Sequence, residues 1–435
     1  MNDPHRRQHR ITDIAGPLGP VGAVTRIPTE GWLPPESVMY SATTGDLSML
    51  APTQPGSSRV TGTGHAYGDP EHARLLAVCE ALERYAMLMA DPALMTDATA
   101  RDLGKSAMSL ELVPRCSPRE LRNPACPVRM PDDTASIRWV RGLDLADRRE
   151  VFLPAVMTYM GMQLRPAEMF WTPVSTGCAV HTDPAAALVN ALCEVVERDS
   201  IAVTWLQRLP LPRLDESCLN TAAREIISWC AARGIESYLF DATTDVGIPV
   251  VYCLQTTNRP RAANAAQLVG CACDFEVSRA AERALHEATA IRLGVQSRRS
   301  RPRRYDAFTR LADGAAVMGR RGKRRAFRFL IEDYRDRRRS TPASLPQTGA
   351  REQLALLLKR LSGLGLLAYA VDLTTRELEE IGMAAVRALV PGLQPLPTRA
   401  LAQYRAHPRL MAAPKAMGLP RVSASRLNPY PQPMA

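Results

Sequence analysis

Three stretches of this chain repeat one another, and that repeat constrains the fold more than any other feature. They read AYGDPEHARLLAVCEALERY (66–85), AVHTDPAAALVNALCEVVERD (179–199) and ACDFEVSRAAERALHEATAIR (272–292). Ala73, Ala187 and Ala280 each stand seven residues before Glu80, Glu194 and Glu287, and Ala77, Ala191 and Ala284 stand three before the same glutamates. On a helix, positions i, i+4 and i+7 share a face. Each repeat is therefore expected to be a helix with a stripe of small residues that approaches its neighbours closely and a glutamate projecting from the same stripe. Asp69-Pro70 and Asp183-Pro184 open the first two helices, with Asp as N-cap and Pro in the first turn. Upstream, Gly177 and Gly270 stand ten residues before their alanines and Gly64 nine, which aligns Gly64 with Gly270.

A carboxylate in line with a packed stripe faces inward, and a buried carboxylate needs a partner. Glu83 and Glu197 follow three residues after Glu80 and Glu194, on nearly the same face, and Arg84 and Arg198 come next. A single ExxER is ordinarily a surface salt-bridge pattern. Two in one frame, CEALER and CEVVER, with matching alanines and caps, are harder to explain that way. Up to five carboxylates, Glu80, Glu83, Glu194, Glu197 and Glu287, need counter-charge, and hard oxygen ligands of this kind suit magnesium completed by phosphates. No GxxxxGK[ST] phosphate loop, GxSxG elbow or HExxH pair competes.

The net charge of +11 is local. Residues 292–339 hold 17 Lys and Arg against 5 Asp and Glu, and the rest of the chain is nearly neutral at −1. The segment carries few aromatic residues and no nucleic-acid motif, so a solvated basic surface is the expectation and a nucleic-acid partner is not. The ten cysteines form no CxxC pair and several sit inside apolar helical patterns, as expected of reduced thiols in a cytoplasmic protein. No apolar run approaches the roughly 20 residues of a membrane helix, so no membrane partner is expected.

The chain divides by pattern into an irregular arm over 1–50, a main domain over 51–428 and a proline-rich tail over 429–435. Residues 113–133 read as loop and 340–348 as linker. A helix is expected over 354–365 and strands over 366–372 and 383–390. The tail, with Pro429, Pro431 and Pro433, is expected to be extended.

The three helices resemble the signature motifs of the YcaO family. The matching residues are Glu80-x-x-Glu83-Arg84, Glu194-x-x-Glu197-Arg198-Asp199 and Arg283-x-x-x-Glu287, with Ser175-Thr176-Gly177 and Val390-Pro391-Gly392-Leu393 alongside. The resemblance implies an α+β fold of mixed α/β YcaO type, with three related helix units gathered around an ATP and Mg2+ site. It implies Glu80, Glu83, Glu194, Glu197 and Glu287 as metal ligands, Arg84, Arg198, Arg283 and Thr182 as ATP contacts, and Pro429, Pro431 and Pro433 as a tail positioned for catalysis. The implied activity is an ATP-dependent cyclodehydratase that phosphorylates a backbone amide oxygen of a ribosomal precursor peptide, so that Cys, Ser or Thr closes to thiazoline or oxazoline. A YcaO enzyme forming a thioamide or amidine is the alternative, and a non-catalytic scaffold binding a partner or nucleic acid is a second. The implied partners are the precursor peptide, a ThiF-like leader-recognition protein and a flavin-dependent azoline dehydrogenase, with a homodimer inside the complex. The chain departs from the family pattern at Leu76, Thr182, Ala186 and Ala290.

Overall fold

In this computed structural model, residues 16, 19–48, 59–259, 264–297, 302, 304–308 and 310–434 are described. The first fifteen residues of the expected arm, part of the basic run (Arg298, Arg299, Arg301, Arg303) and the terminal Ala435 lie outside them. By internal contacts the chain forms two compact units. The first is Met1–Val113, Pro131–Leu192 and Gly349–Val390; the second is Pro114–Met130, Cys193–Thr348 and Pro391–Ala435.

The first unit opens on three antiparallel strands, Val21–Arg26 (β1), Ser37–Thr44 (β2) and Thr61–Tyr67 (β3), in the order β1-β2-β3. Two of them correct the expectation of an irregular arm over 1–50. β1 buries only Val21, so it shows no alternation to read; backbone pairing with β2, from Val24 opposite Ala42 to Arg26 opposite Tyr40, makes it a strand.

The first repeat helix, Pro70–Leu88 (α1), follows. Its Asp69 cap accepts from His72 N at 2.9 Å, as expected. Ala73, Ala77 and Ala81 are fully buried, and β3 meets them with glycine. A Cβ on Gly64 would overlap Ala73 O and Ala77 N, and one on Gly62 would overlap Ala77 O and Ala81 N. The helix therefore lies backbone to backbone on its own strand.

Thr96–Ala98 (β4), Ile137–Asp144 (β5), Glu150–Pro154 (β6) and Cys178–His181 (β7) come next, then the second repeat helix, Pro184–Gln207 (α2). Asp183 caps it, accepting from Ala185 N at 2.8 Å. Its residues up to Leu192 belong to the first unit and those from Cys193 to the second.

In the second unit, Arg213–Leu214 (β8), Thr221–Ala232 (α3), Ile235–Asp241 (β9), Val250–Thr257 (β10) and Gln267–Cys273 (β11) lead into the third repeat helix, Val277–Ser297 (α4). With Arg339–Ser340 (β12) the strands form a sheet ordered β11-β10-β9-β8-β12. Every residue of β10 and β11 is buried. Gly270 of β11 lies against α4, where a Cβ would overlap Ala284 O. Ala284 stands three residues before Glu287, as Ala77 does before Glu80, so the structural counterpart of Gly270 is Gly62. That corrects the alignment with Gly64, which counted from the alanines and could not see which glycine lies beneath which turn.

The basic segment carries a short helix, Ala312–Met318 (α5). Three of its arginines cap backbone carbonyls from distant segments or their own loop. Arg337 donates to Leu211 O and Glu332 O, both at 3.1 Å, Arg320 to Pro302 O at 3.2 Å, and Arg321 to Asn258 O and Arg259 O at 2.8 Å.

The chain then returns to the first unit as Ala350–Gly363 (α6), Tyr369–Asp372 (β13) and Ala384–Leu389 (β14), which match the helix and two strands expected there with shorter strands. The sheet runs β4-β5-β13-β14-β7, with β6 paired to β5. A last helix in the second unit, Arg409–Ala416 (α7), begins with a buried clamp. Arg409 Nε and Nη2 lie 2.8–3.1 Å from the Asp199 carboxylate, and Nη1 lies 2.9 Å from Asp245 Oδ2. Asp199 also accepts from Gln394 N at 2.8 Å.

Candidate functional site

Four of the five repeated glutamates, Glu80, Glu83, Glu197 and Glu287, share one structural habit: they take the outward amides of edge strands. β3, β7 and β11 each end a sheet. An edge strand presents unpaired N–H groups that need an acceptor. Glu80 accepts from Thr63 N on β3, and Glu287 accepts from Cys271 N on β11 at 2.7 Å. Each of these first glutamates thus bonds back to the strand beneath its own helix. The second glutamates reach onward instead. Glu83 accepts from Val180 N on β7 at 3.3 Å, and Glu197 from Cys273 N on β11 at 3.0 Å. The amide bond fixes each carboxylate and leaves its second oxygen for another partner, the kind of support that orients metal ligands.

In the first unit that partner is arginine. Arg84 Nη2 stands 2.5 Å from Glu80 Oε1 and also donates to Thr61 O. Thr63 Oγ1 adds a bond to Glu80 Oε2 at 3.1 Å. Thr182 is half-buried just before the α2 cap.

In the second unit the carboxylates crowd. Glu197 and Glu287 take amides two residues apart on one strand, so both address the same edge of β11 within roughly 7 Å. Burial raises the Glu197 pKa, against the pull of Arg198 and Arg283. Glu287 is raised to about 7, first by its removal from water and then by the Glu197 charge. Arg198 stands between its helix neighbours, with Nη2 3.2 Å from Glu194 Oε1 and Nη1 3.2 Å from Glu197 Oε1. Arg283 donates to Cys273 O at 3.2 Å and faces Asp274.

Among the described residues no group of three or more His, Cys, Asp or Glu is placed to hold a metal ion by itself. Magnesium does not require one: it commonly takes one or two carboxylates and fills its shell with phosphate oxygens and water. Two observations fit such a ligand. The Glu197 and Glu287 carboxylates lack enough positive charge to offset their burial. Arg198 Nε is buried without a hydrogen-bond acceptor, which a phosphate oxygen would supply.

The sequence model of the YcaO cyclodehydratases, ATP- and Mg2+-binding, matches residues 65–394. The chain belongs to the YcaO family. ATP and Mg2+ are the cofactors of that family, and its α+β fold is the one described above. The match leaves the proline tail outside. A heterocyclase solved in complex with substrate and cofactor superposes with a TM-score of 0.81 at 20% identity, covering 100% of this chain and 57% of that one. YcaO from Methanopyrus kandleri, bound with AMPPCP and Mg2+, gives a TM-score of 0.60 at 19% identity and 89% coverage of each chain. An uncharacterised protein in the tfuA 3′ region of Rhizobium leguminosarum bv. trifolii is 31% identical over 236 residues, 52% of this chain and 53% of the relative. The alignment thus spans about half the length of that relative.

All ten cysteines are free thiols, and no helix among the described residues is long and apolar enough to cross a membrane. Two groups escaped the sequence reading. Asp199 was legible only as the letter after Glu197-Arg198; its partner Arg409 is 210 residues away. The amides of Thr63, Val180, Cys271 and Cys273 carry no side-chain signal at all.

Proposed function

We propose that this chain is an ATP-dependent cyclodehydratase acting on backbone amides of a ribosomal precursor peptide. The observation that carries the reading is the Glu197–Glu287 pair on the β11 edge, with Arg198 held between carboxylates and its buried Nε without an acceptor. Glu194, Glu197 and Glu287 would hold Mg2+ with phosphate oxygens. Glu80 and Glu83 are proposed as further ligands on their motif alone. Arg198 and Arg283 would face phosphate charge, and Arg84 and Thr182 are carried as nucleotide contacts by the same motif. When bound, ATP with Mg2+ would turn an amide oxygen from a poor leaving group into phosphate. The protein's own task is to hold carboxylates and guanidinium groups at fixed positions before the nucleotide arrives.

The tail supports azoline chemistry as the branch. Pro431, Gln432, Pro433 and Met434 are buried, so the proline segment is a built element and not a loose end. Proposed partners are the precursor peptide, a ThiF-like leader-recognition protein and a flavin-dependent dehydrogenase, in the cytoplasm, with a homodimer inside the complex. The test is mass spectrometry of precursor incubated with the chain, its partner and ATP. Loss of one water per ring, dependent on ATP, is expected. ATP consumption with no mass loss on any Cys-, Ser- or Thr-rich precursor would sink the reading. The second reading keeps the ATP chemistry and changes the nucleophile, giving a thioamide. A gain equal to the difference between sulfur and oxygen would select it.

A further inference from the structure

Gly314 sits in the third position of the short helix α5, where glycine is a poor choice and alanine a good one. Its φ is not in the left-handed region, so backbone conformation does not require it. The space around it gives the reason. A Cβ at 314 would overlap Gln432 O, and the next atoms it would meet are Gln432 Nε2 and Gln432 C. All three nearest atoms belong to one residue of the tail. The helix gives up a side chain to let the tail pass.

The rest of the tail is held in the same way, by the residues between its prolines. Prolines cannot donate, so over residues 429–434, with proline at every second position, N–H groups are offered only at Tyr430, Gln432 and Met434. Tyr430 N donates to Asn428 Oδ1 at 3.2 Å, and Met434 N donates to Gln432 Oε1 at 2.5 Å. Tyr430 O accepts from Trp205 Nε1 at 3.2 Å, and Gln432 Nε2 donates to Leu311 O at 3.3 Å. Ala315 N donates to Met434 O at 3.1 Å. Lys323 Nζ lies 5.2 Å from the centre of the Tyr430 ring. Trp205 is on α2, eight residues after Glu197, so the helix that carries the carboxylates also holds the tail roughly 12 Å further along its axis.

The geometry points to a cradle: Gly314, Trp205 and Gln432 are positioning residues that hold the C-terminal tail in one register on the second unit. The basic segment around α5 therefore serves as the tail's seat. The claim that this register matters for turnover rests on the proposed cyclodehydratase reading; the claim that the cradle holds the tail does not.

The experiment compares Gly314→Ala in the full chain and in a chain ending after Leu427. In the full chain the added methyl collides with the tail, so hydrogen exchange at Tyr430, Gln432 and Met434 should quicken about tenfold or more. In the truncated chain the three atoms it would meet first are gone and the substitution gains helix propensity, so the melting temperature should rise. The sign of the stability change thus reverses with the tail. Trp205→Phe, which keeps a ring in the core and removes one donor, gives a milder release of the same amides. Undisturbed exchange in both full-length variants, or a fall in melting temperature in the truncated Gly314→Ala chain, would overturn the cradle. With an active precursor, a tail freed by Gly314→Ala while kcat and KM stay unchanged would overturn the positioning role. A wild-type chain that modifies no precursor would instead defeat the proposed function, while the exchange arm would still decide the cradle.

Discussion

The helices α1 and α2 carry the same six-residue frame, CEALER and CEVVER, and put it to work in different surroundings. Each anchors its second glutamate on an edge amide, Glu83 on Val180 and Glu197 on Cys273. Around α1 the ion pair is open: the Glu80 and Arg84 side chains keep 31% and 35% exposure. On α2 the matching pair, Arg198 and Glu194, keeps 15% and 28%, and Glu197 keeps only 8%. The frame fixes where the carboxylates sit along a helix. What covers them fixes how strongly each charge is felt, because the low dielectric of the interior magnifies both attraction and repulsion. Glu287, arriving from another helix onto the same strand, completes that difference in the second unit.

The largest effect should come from breaking the buried side. Glu197→Gln is expected to lower ATP turnover on the order of 100-fold or more while the chain stays folded by circular dichroism, and Glu194→Gln, at a side chain 28% exposed, by less. Glu80→Gln should also lower turnover, by less. A larger loss for Glu80→Gln than for Glu197→Gln would break the comparison, and full turnover in both Glu80→Gln and Glu194→Gln would remove the metal assignment.

Stability should separate buried from open ion pairs next. Arg409→Ala strands the Asp199 carboxylate without its guanidinium and should cost about 3–5 kcal/mol. Arg84→Ala removes a half-open pair and should cost no more than about 1 kcal/mol. Urea denaturation of both variants measures the gap; similar losses would show that exposure does not separate them.

Gly62→Ala and Gly270→Ala sharpen what the repeats have in common. Each puts a methyl into the backbone of its own helix, at Ala77 and at Ala284. Each should destabilise by about 1–3 kcal/mol, and by similar amounts. A neutral result at Gly62 alone would mean that the first repeat can shift its helix where the third cannot.

The smallest effect is in pH. The Glu287 carboxyl is raised to about 7 from the ordinary 4.5, so the folded chain holds that proton more tightly than the unfolded one. Its contribution is fully present below about pH 4.5 and is lost as pH rises through about 7. The metal-free protein should therefore lose stability between these values, and Glu287→Gln should flatten that part of the profile. An unchanged slope in the variant would show that another group sets it.

Much of this was legible before any coordinates. The alanine stripe, the Asp-Pro caps and the matched glutamates follow from helical periodicity, and α6, β13 and β14 follow from apolar runs bounded by turns. The strands of the arm were not legible, because β1 is held by pairing and not by burial. Gly64 was aligned with Gly270 in place of Gly62 because counting along a chain does not reveal which turn of a helix a strand passes beneath. The tail's prolines were visible, whereas what fixes it is the backbone oxygen of Tyr430, which every residue possesses, and the side-chain amide of Gln432, whose partner Leu311 is 121 residues away.

The sequence by itself determined three helices, the face each buries and the glutamates each presents, since those depend on local spacing that every copy of the pattern obeys. Only the tertiary structure decided which edge amide each glutamate takes, which of them lie out of water, and why α5 must contain a glycine. Those outcomes depend on segments far apart in the chain meeting in space, as Asp199 and Arg409 do across 210 residues, and desolvation exists only after they have met.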